Sequence, residues 1–156
     1  MMELLITLLD DAFFSAIPAI GFAMLFNVPK KALAYCGAAA AIAHSLRTLL
    51  ISFGMSVELG SFLVSVLVGV LAFHWAKKKL VPEQVFTVAA IIPMIPGKFA
   101  FATMVGLVQL NIDGAVSPWL LGDVIDNGLK TLFILGALSV GLAIPQLFLE
   151  RSKPVV

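Results

Sequence analysis

The stretch Thr87-Val88-Ala89-Ala90-Ile91-Ile92-Pro93-Met94-Ile95-Pro96-Gly97-Lys98 begins as an apolar helix and is then broken by two prolines and a glycine. Each proline lacks a backbone N–H, and its ring clashes with the carbonyl group four residues earlier. In lipid, the carbonyl groups released by a break find no water, so such backbone must be buried in protein or line a wet cavity. The stretch therefore predicts either a simple proline kink or a substrate site built from a broken helix, as in transporters.

The composition around this stretch is that of an integral membrane protein. Hydrophobic residues make up 61% of the 156 residues and charged residues 12%, and the apolar runs are long enough to cross a hydrocarbon layer of about 30 Å. The net charge of +1 gives no reason to expect nucleic acid as a partner. The sequence shows no metal-ligand spacing and no catalytic constellation, so we expect no cofactor, no metal and no enzymatic activity.

Five membrane spans can be drawn within a single transmembrane domain of residues 1–156. We therefore predict an all-α integral membrane bundle of about five transmembrane helices, the fourth broken at its Pro-x-x-Pro-Gly stretch. Four crossings are the alternative, because the break could form a re-entrant hairpin. The first run lacks the basic segment of a cleaved signal peptide and is predicted to be a retained helix. The spans are about Leu4–Phe26, Ala32–Phe53, Val57–Ala76, Val85–Leu110 and Pro118–Leu149.

The basic residues predict the orientation in the membrane. Seven of the ten lie in three places, Lys30–Lys31, Lys77–Lys79 and Arg151 with Lys153. With five spans, all three places fall on one side of the membrane. The positive-inside rule puts this side in the cytoplasm, with the N-terminus outside and the C-terminus inside. The acidic residues on the opposite side are Glu3, Glu58 and Asp113.

The three other basic residues, Arg47, Lys98 and Lys130, lie inside predicted spans. A charge in the bilayer is costly and usually faces protein or water, so each is a candidate functional residue. His44 stands three residues before Arg47 and shares its helix face. The guanidinium of Arg47 is suited to bidentate contact with a carboxylate. Its structural alternative is a salt bridge to Asp11, two turns into the first span.

Other candidates also have structural alternatives. Lys130 shares a helix face with Asn127 and alternatively pairs with Asp126, four residues earlier. His44 is alternatively a satisfied packing histidine, and Asp11 alternatively reaches towards the outer interface. With these alternatives open, the predicted substrate-binding residues are Asp11, His44, Arg47, Pro93, Pro96, Gly97, Lys98, Asn127 and Lys130.

Small residues recur at helical spacing along the spans, and such faces let helices approach closely in lipid. They predict a compact bundle or contact with a partner subunit. The sets are Ala19 with Ala23, Ser61 with Ser65 and Gly69, and Ala137 with Gly141.

Three segments, Ala16–Pro29, Phe86–Gly97 and Gly136–Pro145, resemble the YjjB-type proteins of the threonine/serine exporter superfamily. The segment Ala43–Arg47 also fits the His-x-x-Arg pattern of that family. The resemblance covers nearly the whole chain. It implies the small subunit of a two-component exporter in the bacterial inner membrane, which works with a larger YjjP-like membrane subunit.

The resemblance further implies export of a small carboxylate, with a succinate-like C4 dicarboxylate as the expected cargo. Threonine or serine export is the first alternative, and a scaffold subunit without a substrate site is the second. Two separated cations, Arg47 with Lys98 or Lys130, would suit a dicarboxylate, whereas one cation with Asp11 would suit an amino acid. The family pattern supports the candidates Asp11, His44, Arg47, Pro93, Pro96, Gly97 and Asn127. This sequence departs from the pattern at Lys98, Asp126 and Lys130.

Overall fold

The computed structural model describes residues 2–113 and 117–150, except for the side chains of Asp113 and Glu150. Within these ranges the chain forms α-helices, one short 3₁₀ turn and no strand, which confirms the all-α prediction. The helices are α1 (Met2–Leu25), α2 (Lys30–Ser52), α3 (Val57–Lys79), α4 (Gln84–Ile91), α5 (Gly97–Asp113) and α6 (Pro118–Glu150), with the 3₁₀ turn Ile92–Met94 after α4.

Four of these helices, α1, α2, α3 and α6, are long and apolar enough to cross a membrane. A fifth span results if α4, the 3₁₀ turn and α5 are counted as one broken span. Large apolar side chains such as Leu9, Phe13 and Phe133 are more than half exposed, as lipid-facing residues are. The chain is therefore a multi-pass membrane protein with four to five candidate spans.

The helix ends follow local sequence signals. Asn27 adopts a positive φ of 55°, which asparagine tolerates well, and a turn forms there before Pro29. The hydroxyl oxygen of Ser56 accepts a hydrogen bond from the backbone N–H of Leu59, 3.3 Å away, and so caps α3. At the other end of α3, Leu80 has a φ of 54°, and its N–H bonds the carbonyl oxygen of Ala76.

The chain divides into two compact units. The first unit holds residues up to Met94 together with those from Ala137 onwards, and the second holds Ile95–Gly136. In the first unit, α1 packs along α2, and α2 also packs against α3 and α4. The predicted small-residue faces carry this packing, since Ala19 and Ala23 of α1 are fully buried.

A buried cluster joins the end of α1, the start of α2, the end of α3 and the start of α4. The rings of Tyr35 and Trp75 meet edge to face at 5.2 Å, and both lie about 6 Å from the ring of Phe86. Lys79 lies over the ring of Tyr35, with its Nζ 4.7 Å from the ring centroid. The clusters Lys30–Lys31 and Lys77–Lys79 therefore lie at the same end of the first unit, which we call the lysine end. Arg151 and Lys153 fall outside the described residues.

The close approach of α3 to the second half of α6 depends on glycine. A methyl group at Gly141 would lie 2.8 Å from the carbonyl oxygen of Phe62 and would collide with the hydroxyl group of Ser65. That hydroxyl donates to the carbonyl oxygen of Phe62 at 2.8 Å and lies 3.2 Å from that of Ala137. The small-residue pattern in α3 and α6 thus corresponds to a direct helix contact.

We expect Gly141→Ala to lower the free energy of unfolding by about 1–3 kcal/mol, because the added methyl group overpacks this contact. Gly136→Ala is the matched control on the same helix, since a Cβ there meets nothing within 4 Å. It should hold or raise stability by up to about 1 kcal/mol through helix propensity. Melting temperatures of the purified proteins in one detergent test this, and equal values for the two variants would contradict it.

Candidate functional site

The helix break occurs where the prolines predicted it. α4 ends at Ile91, and the 3₁₀ turn contains Pro93. Pro96 directly precedes the first residue of α5, and its carbonyl oxygen accepts the hydrogen bond of Ala100 at 3.0 Å. Because neither proline has an N–H to donate, the helical ladder cannot continue through this segment. The last carbonyl groups of the first unit's broken helix must therefore find other donors.

Arg47 supplies a donor for one of these carbonyl groups. Its Nη1 donates to the carbonyl oxygen of Met94, 3.1 Å away. A cation at the C-terminal end of a helix also interacts favourably with the helix dipole. The aliphatic part of the Arg47 side chain packs against α3. A Cβ placed on Gly60 of α3 would lie 3.8 Å from the Cγ of Arg47. The guanidinium has five N–H donors, so this bond leaves capacity for a further acceptor.

Asp11 of α1 is held against α2 by polar contacts. Its Oδ2 accepts a hydrogen bond from the hydroxyl group of Thr48, and its Oδ1 lies 3.7 Å from Nδ1 of His44. The side chains of His44 and Asp11 are 25% and 26% exposed. The direct Arg47–Asp11 salt bridge, left open by the sequence, is not formed between these two described side chains.

His44 differs from the satisfied packing histidine that the sequence left open. Its Nδ1 is buried and has no hydrogen-bond partner among the described residues. The separation of 3.7 Å from Asp11 is longer than the usual 2.7–3.2 Å of an N–H···O bond. By contrast, Nδ1 of His74, the other histidine, lies 2.8 Å from the carbonyl oxygen of Val70 on the exposed side of α3.

A cavity of 240 Å³ opens at this cluster, and its lining residues are Asp11, Phe14, Ser15, Pro18, His44 and Pro93. The carboxylate, the imidazole and the helix break therefore border the same space. Two serines fix α1 to α2 on either side of Asp11. Ser15 Oγ donates to the carbonyl oxygen of Ala40 at 3.2 Å, and Ser45 Oγ donates to that of Leu8 at 2.8 Å.

The remaining predicted site residues belong to the second unit. Nζ of Lys130 lies 2.7 Å from Oδ2 of Asp126, so Lys130 forms the ion pair that its spacing from Asp126 allowed. It also lies 5.7 Å from the ring centroid of Phe99. Asn127 donates from Nδ2 to the carbonyl oxygen of Asp123, four residues earlier, at 2.8 Å. The side chain of Lys98 is exposed.

The predicted set therefore separates into two parts. Asp11, His44, Arg47 and Pro93 come together in the first unit, while Pro96, Gly97, Lys98, Asn127 and Lys130 lie in the second unit. The sequence-based set omitted Thr48, Ser15 and the carbonyl group of Met94. A signal for Ser15 was present, because Asp11, Ser15, Ala19 and Ala23 recur every four residues and so share one face of α1.

Among the described residues, no group of three or more histidine, cysteine and acidic side chains is placed to hold a metal ion. Two larger hollows are lined by other residues. One of 320 Å³ is bordered by Pro118 and Trp119 in the second unit. The other, of 460 Å³, lies at the lysine end between α3 and α4. Neither includes the helix break.

We expect Thr48→Val to lower the free energy of unfolding by about 1–3 kcal/mol, because it removes a hydrogen bond to the partly buried carboxylate of Asp11 while keeping the side-chain shape. Ser52→Ala is the control, since its exposed hydroxyl group bonds only the carbonyl oxygen of Leu49 on its own helix. That change should stay within about 0.5 kcal/mol. Denaturation of both purified variants measures the difference, and equal stabilities would show that the Thr48–Asp11 bond contributes nothing.

Comparison with known proteins places these features in a family. The family model described as threonine/serine exporter, ThrE, matches residues 11–148. The match begins at Asp11 and includes the helix break and the whole of α2 and α3. No solved structure matches the chain. Because the match covers most of the 156 residues, the chain belongs to the threonine/serine exporter (ThrE) family.

Proposed function

We propose that this chain is the small membrane subunit of a two-component exporter that moves a small carboxylate-bearing metabolite out across the bacterial inner membrane. The observation that carries the proposal is the pairing of Arg47 with a broken helix beside the intramembrane carboxylate of Asp11. Family membership supports transport as the activity. The resemblance to YjjB-type proteins supports a larger YjjP-like subunit as the partner.

Arg47 is the binding group for the carboxylate of the cargo. An ionised carboxylate is a stronger acceptor than a peptide carbonyl group and accepts two parallel N–H bonds from one guanidinium. Arg47 uses one N–H for Met94 and can turn others towards the cargo. The cavity bordered by Asp11, His44 and Pro93 gives space for a molecule of a few carbon atoms.

The charges of the first unit favour an amino acid as the cargo. Asp11 offers a carboxylate for an ammonium group, and Arg47 offers a guanidinium for a carboxylate. Threonine and serine carry both groups and are neutral overall. A single site with one charge of each sign is matched to such a zwitterion, because each buried charge then has an opposite partner.

A succinate-like dicarboxylate, the cargo expected from the resemblance, remains the second candidate. It needs two cations, and in the described part of the first unit the permanent intramembrane cation is Arg47. His44 could serve as the second cation when protonated, and its unpartnered Nδ1 favours this candidate. Lys130 is held by Asp126 in the second unit.

We expect Arg47→Gln to leave assembly with the partner intact and to reduce efflux by about 10–100-fold. Glutamine keeps an amide donor at this position but lacks the charge, and a hydrogen bond to a charged group contributes about 1.5–3 kcal/mol. Efflux of labelled threonine, serine and succinate from loaded vesicles containing both subunits is the measurement, with Lys78→Gln as the control. Normal efflux of all three by assembled Arg47→Gln would favour the scaffold alternative.

The lysine end should face the cytoplasm, with the N-terminus outside. This follows from Lys30–Lys31 and Lys77–Lys79 lying together and from the positive-inside rule. In a Cys36→Ala background, a cysteine at Glu58 should react with an impermeant reagent added outside intact cells. A cysteine at Lys78 should react only after permeabilisation. Labelling of the Lys78 position in intact cells would reverse the orientation.

A further inference from the structure

A groove at the lysine end is bordered by a cation and by apolar side chains, and the proposed cargo site does not use it. The groove measures 460 Å³ and lies where α3 ends and α4 begins. Its lining includes Phe73, Lys77, Leu80, Val81 and Glu83. A cation beside an apolar wall suits a ligand that carries both a negative charge and a hydrocarbon part.

The groove lies at the level of the lipid headgroups. α3 has 23 residues and is therefore about 35 Å long at about 1.5 Å per residue, slightly more than a hydrocarbon layer of about 30 Å. Its last turn thus reaches the membrane interface. The rings of Tyr35 and Trp75 meet at this end of the first unit, and tyrosine and tryptophan are enriched in that interface.

The ammonium group of Lys77 is held at the edge of the groove. Its Nζ lies 3.9 Å from the centroid of the Phe73 ring, which is a cation–π contact. The ring faces one side of the ammonium group and accepts no conventional hydrogen bond. The ammonium group has three N–H donors, and the side chain is exposed. It can therefore donate to an anion that enters the groove.

Leu80 supplies the apolar side of the groove. Its side chain is 90% exposed, and its φ of 54° belongs to a region that glycine usually occupies at helix ends. The N–H groups of Leu80 and Val81 both bond the carbonyl oxygen of Ala76, so the backbone of this turn is fixed. An exposed leucine at this position is favourable where it meets lipid chains rather than water.

We propose that this groove binds an anionic phospholipid, with Lys77 contacting the phosphate group and Leu80 contacting an acyl chain. A phosphate oxygen accepts a charge-assisted hydrogen bond from an ammonium group, and basic pockets between transmembrane helices bind anionic headgroups in this way. A soluble anion would leave Leu80 in water, whereas a lipid satisfies both sides of the groove. The inference goes beyond the proposed function, because it concerns neither the cargo nor its site.

Glu83, the residue before α4, limits the charge of the headgroup. Its carboxylate borders the same groove and opposes a second negative charge there. The lysine end carries five lysines in the sequence, so the field at the groove still attracts an anion. A headgroup with one phosphate and an uncharged polyol, such as that of phosphatidylglycerol, fits both conditions.

The test counts the lipids bound to the full-length chain in a neutral detergent by native mass spectrometry. The probes are phosphatidylglycerol and phosphatidylcholine with the same acyl chains. The wild type should bind one phosphatidylglycerol per chain more tightly than phosphatidylcholine. Lys77→Gln should weaken phosphatidylglycerol binding about fivefold, as expected for one lysine at an anionic surface. Lys31→Gln is the matched control, since it removes the same charge at the same end but outside the groove, and it should weaken binding clearly less.

Leu80→Gly separates the lipid contact from folding. Glycine suits the positive φ at a helix end, so the melting temperature without lipid should hold or rise. Phosphatidylglycerol binding should nevertheless weaken, because the apolar wall is lost. Glycerophosphoglycerol, the same headgroup without acyl chains, should not compete at the concentration of the lipid. Glu83→Gln should hold or tighten phosphatidylglycerol binding.

Four results would overturn the proposal. They are equal affinity of the wild type for the two lipids, equal losses in Lys77→Gln and Lys31→Gln, competition by glycerophosphoglycerol, and weaker binding in Glu83→Gln, which would indicate an ammonium-bearing headgroup. None of these measurements involves transport, so such a result would leave the proposed function standing.

Discussion

A transmembrane helix can be broken in lipid only if the carbonyl groups released by the break find donors, and in this chain Arg47 supplies the donor at Met94. Two unfavourable features offset each other here. The guanidinium is costly to bury, and the open end of a helix is costly to leave unbonded. Their hydrogen bond relieves both, and the rest of the first unit is arranged so that this bond can form.

The position of α1 follows from this arrangement. A partly buried guanidinium next to a helix end still carries a full charge, so a carboxylate nearby lowers its cost. Asp11 lies across from it on α1, fixed by Thr48 and flanked by the serine bonds that join α1 to α2. The alanines further along the same face of α1 are fully buried, so this helix cannot rotate without losing its packing. The cavity at Pro93 is the space left between α1, α2 and the 3₁₀ turn.

The sequence located those features of the candidate site that depend on the properties of single residues. Two prolines and a glycine locate the break, and a positive charge within an apolar span marks Arg47. The partner of Arg47 could not be predicted, because it is the backbone carbonyl group of Met94, and backbone groups carry no residue-specific signal. For Lys130, spacing alone allowed both an ion pair with Asp126 and a substrate role, and the structure shows the ion pair.

The sequence alone could predict which of Asp10 and Asp11 faces the neighbouring helix. Only Asp11 continues the four-residue spacing of Ser15 and Ala19, so only Asp11 lies on the packed face of α1. The structure agrees, with Asp10 exposed and Asp11 against α2. The unpartnered Nδ1 of His44 could not be predicted from the sequence. It depends on whether this atom lies 3.7 Å or about 3 Å from Oδ1 of Asp11 on the neighbouring helix.

The opposite charges of Arg47 and Asp11 suit the amino-acid cargo proposed above. A site with one cation and one carboxylate is neutral when empty, and a bound zwitterion keeps it so. Movement of the loaded site through the bilayer then avoids the large desolvation cost of a net charge.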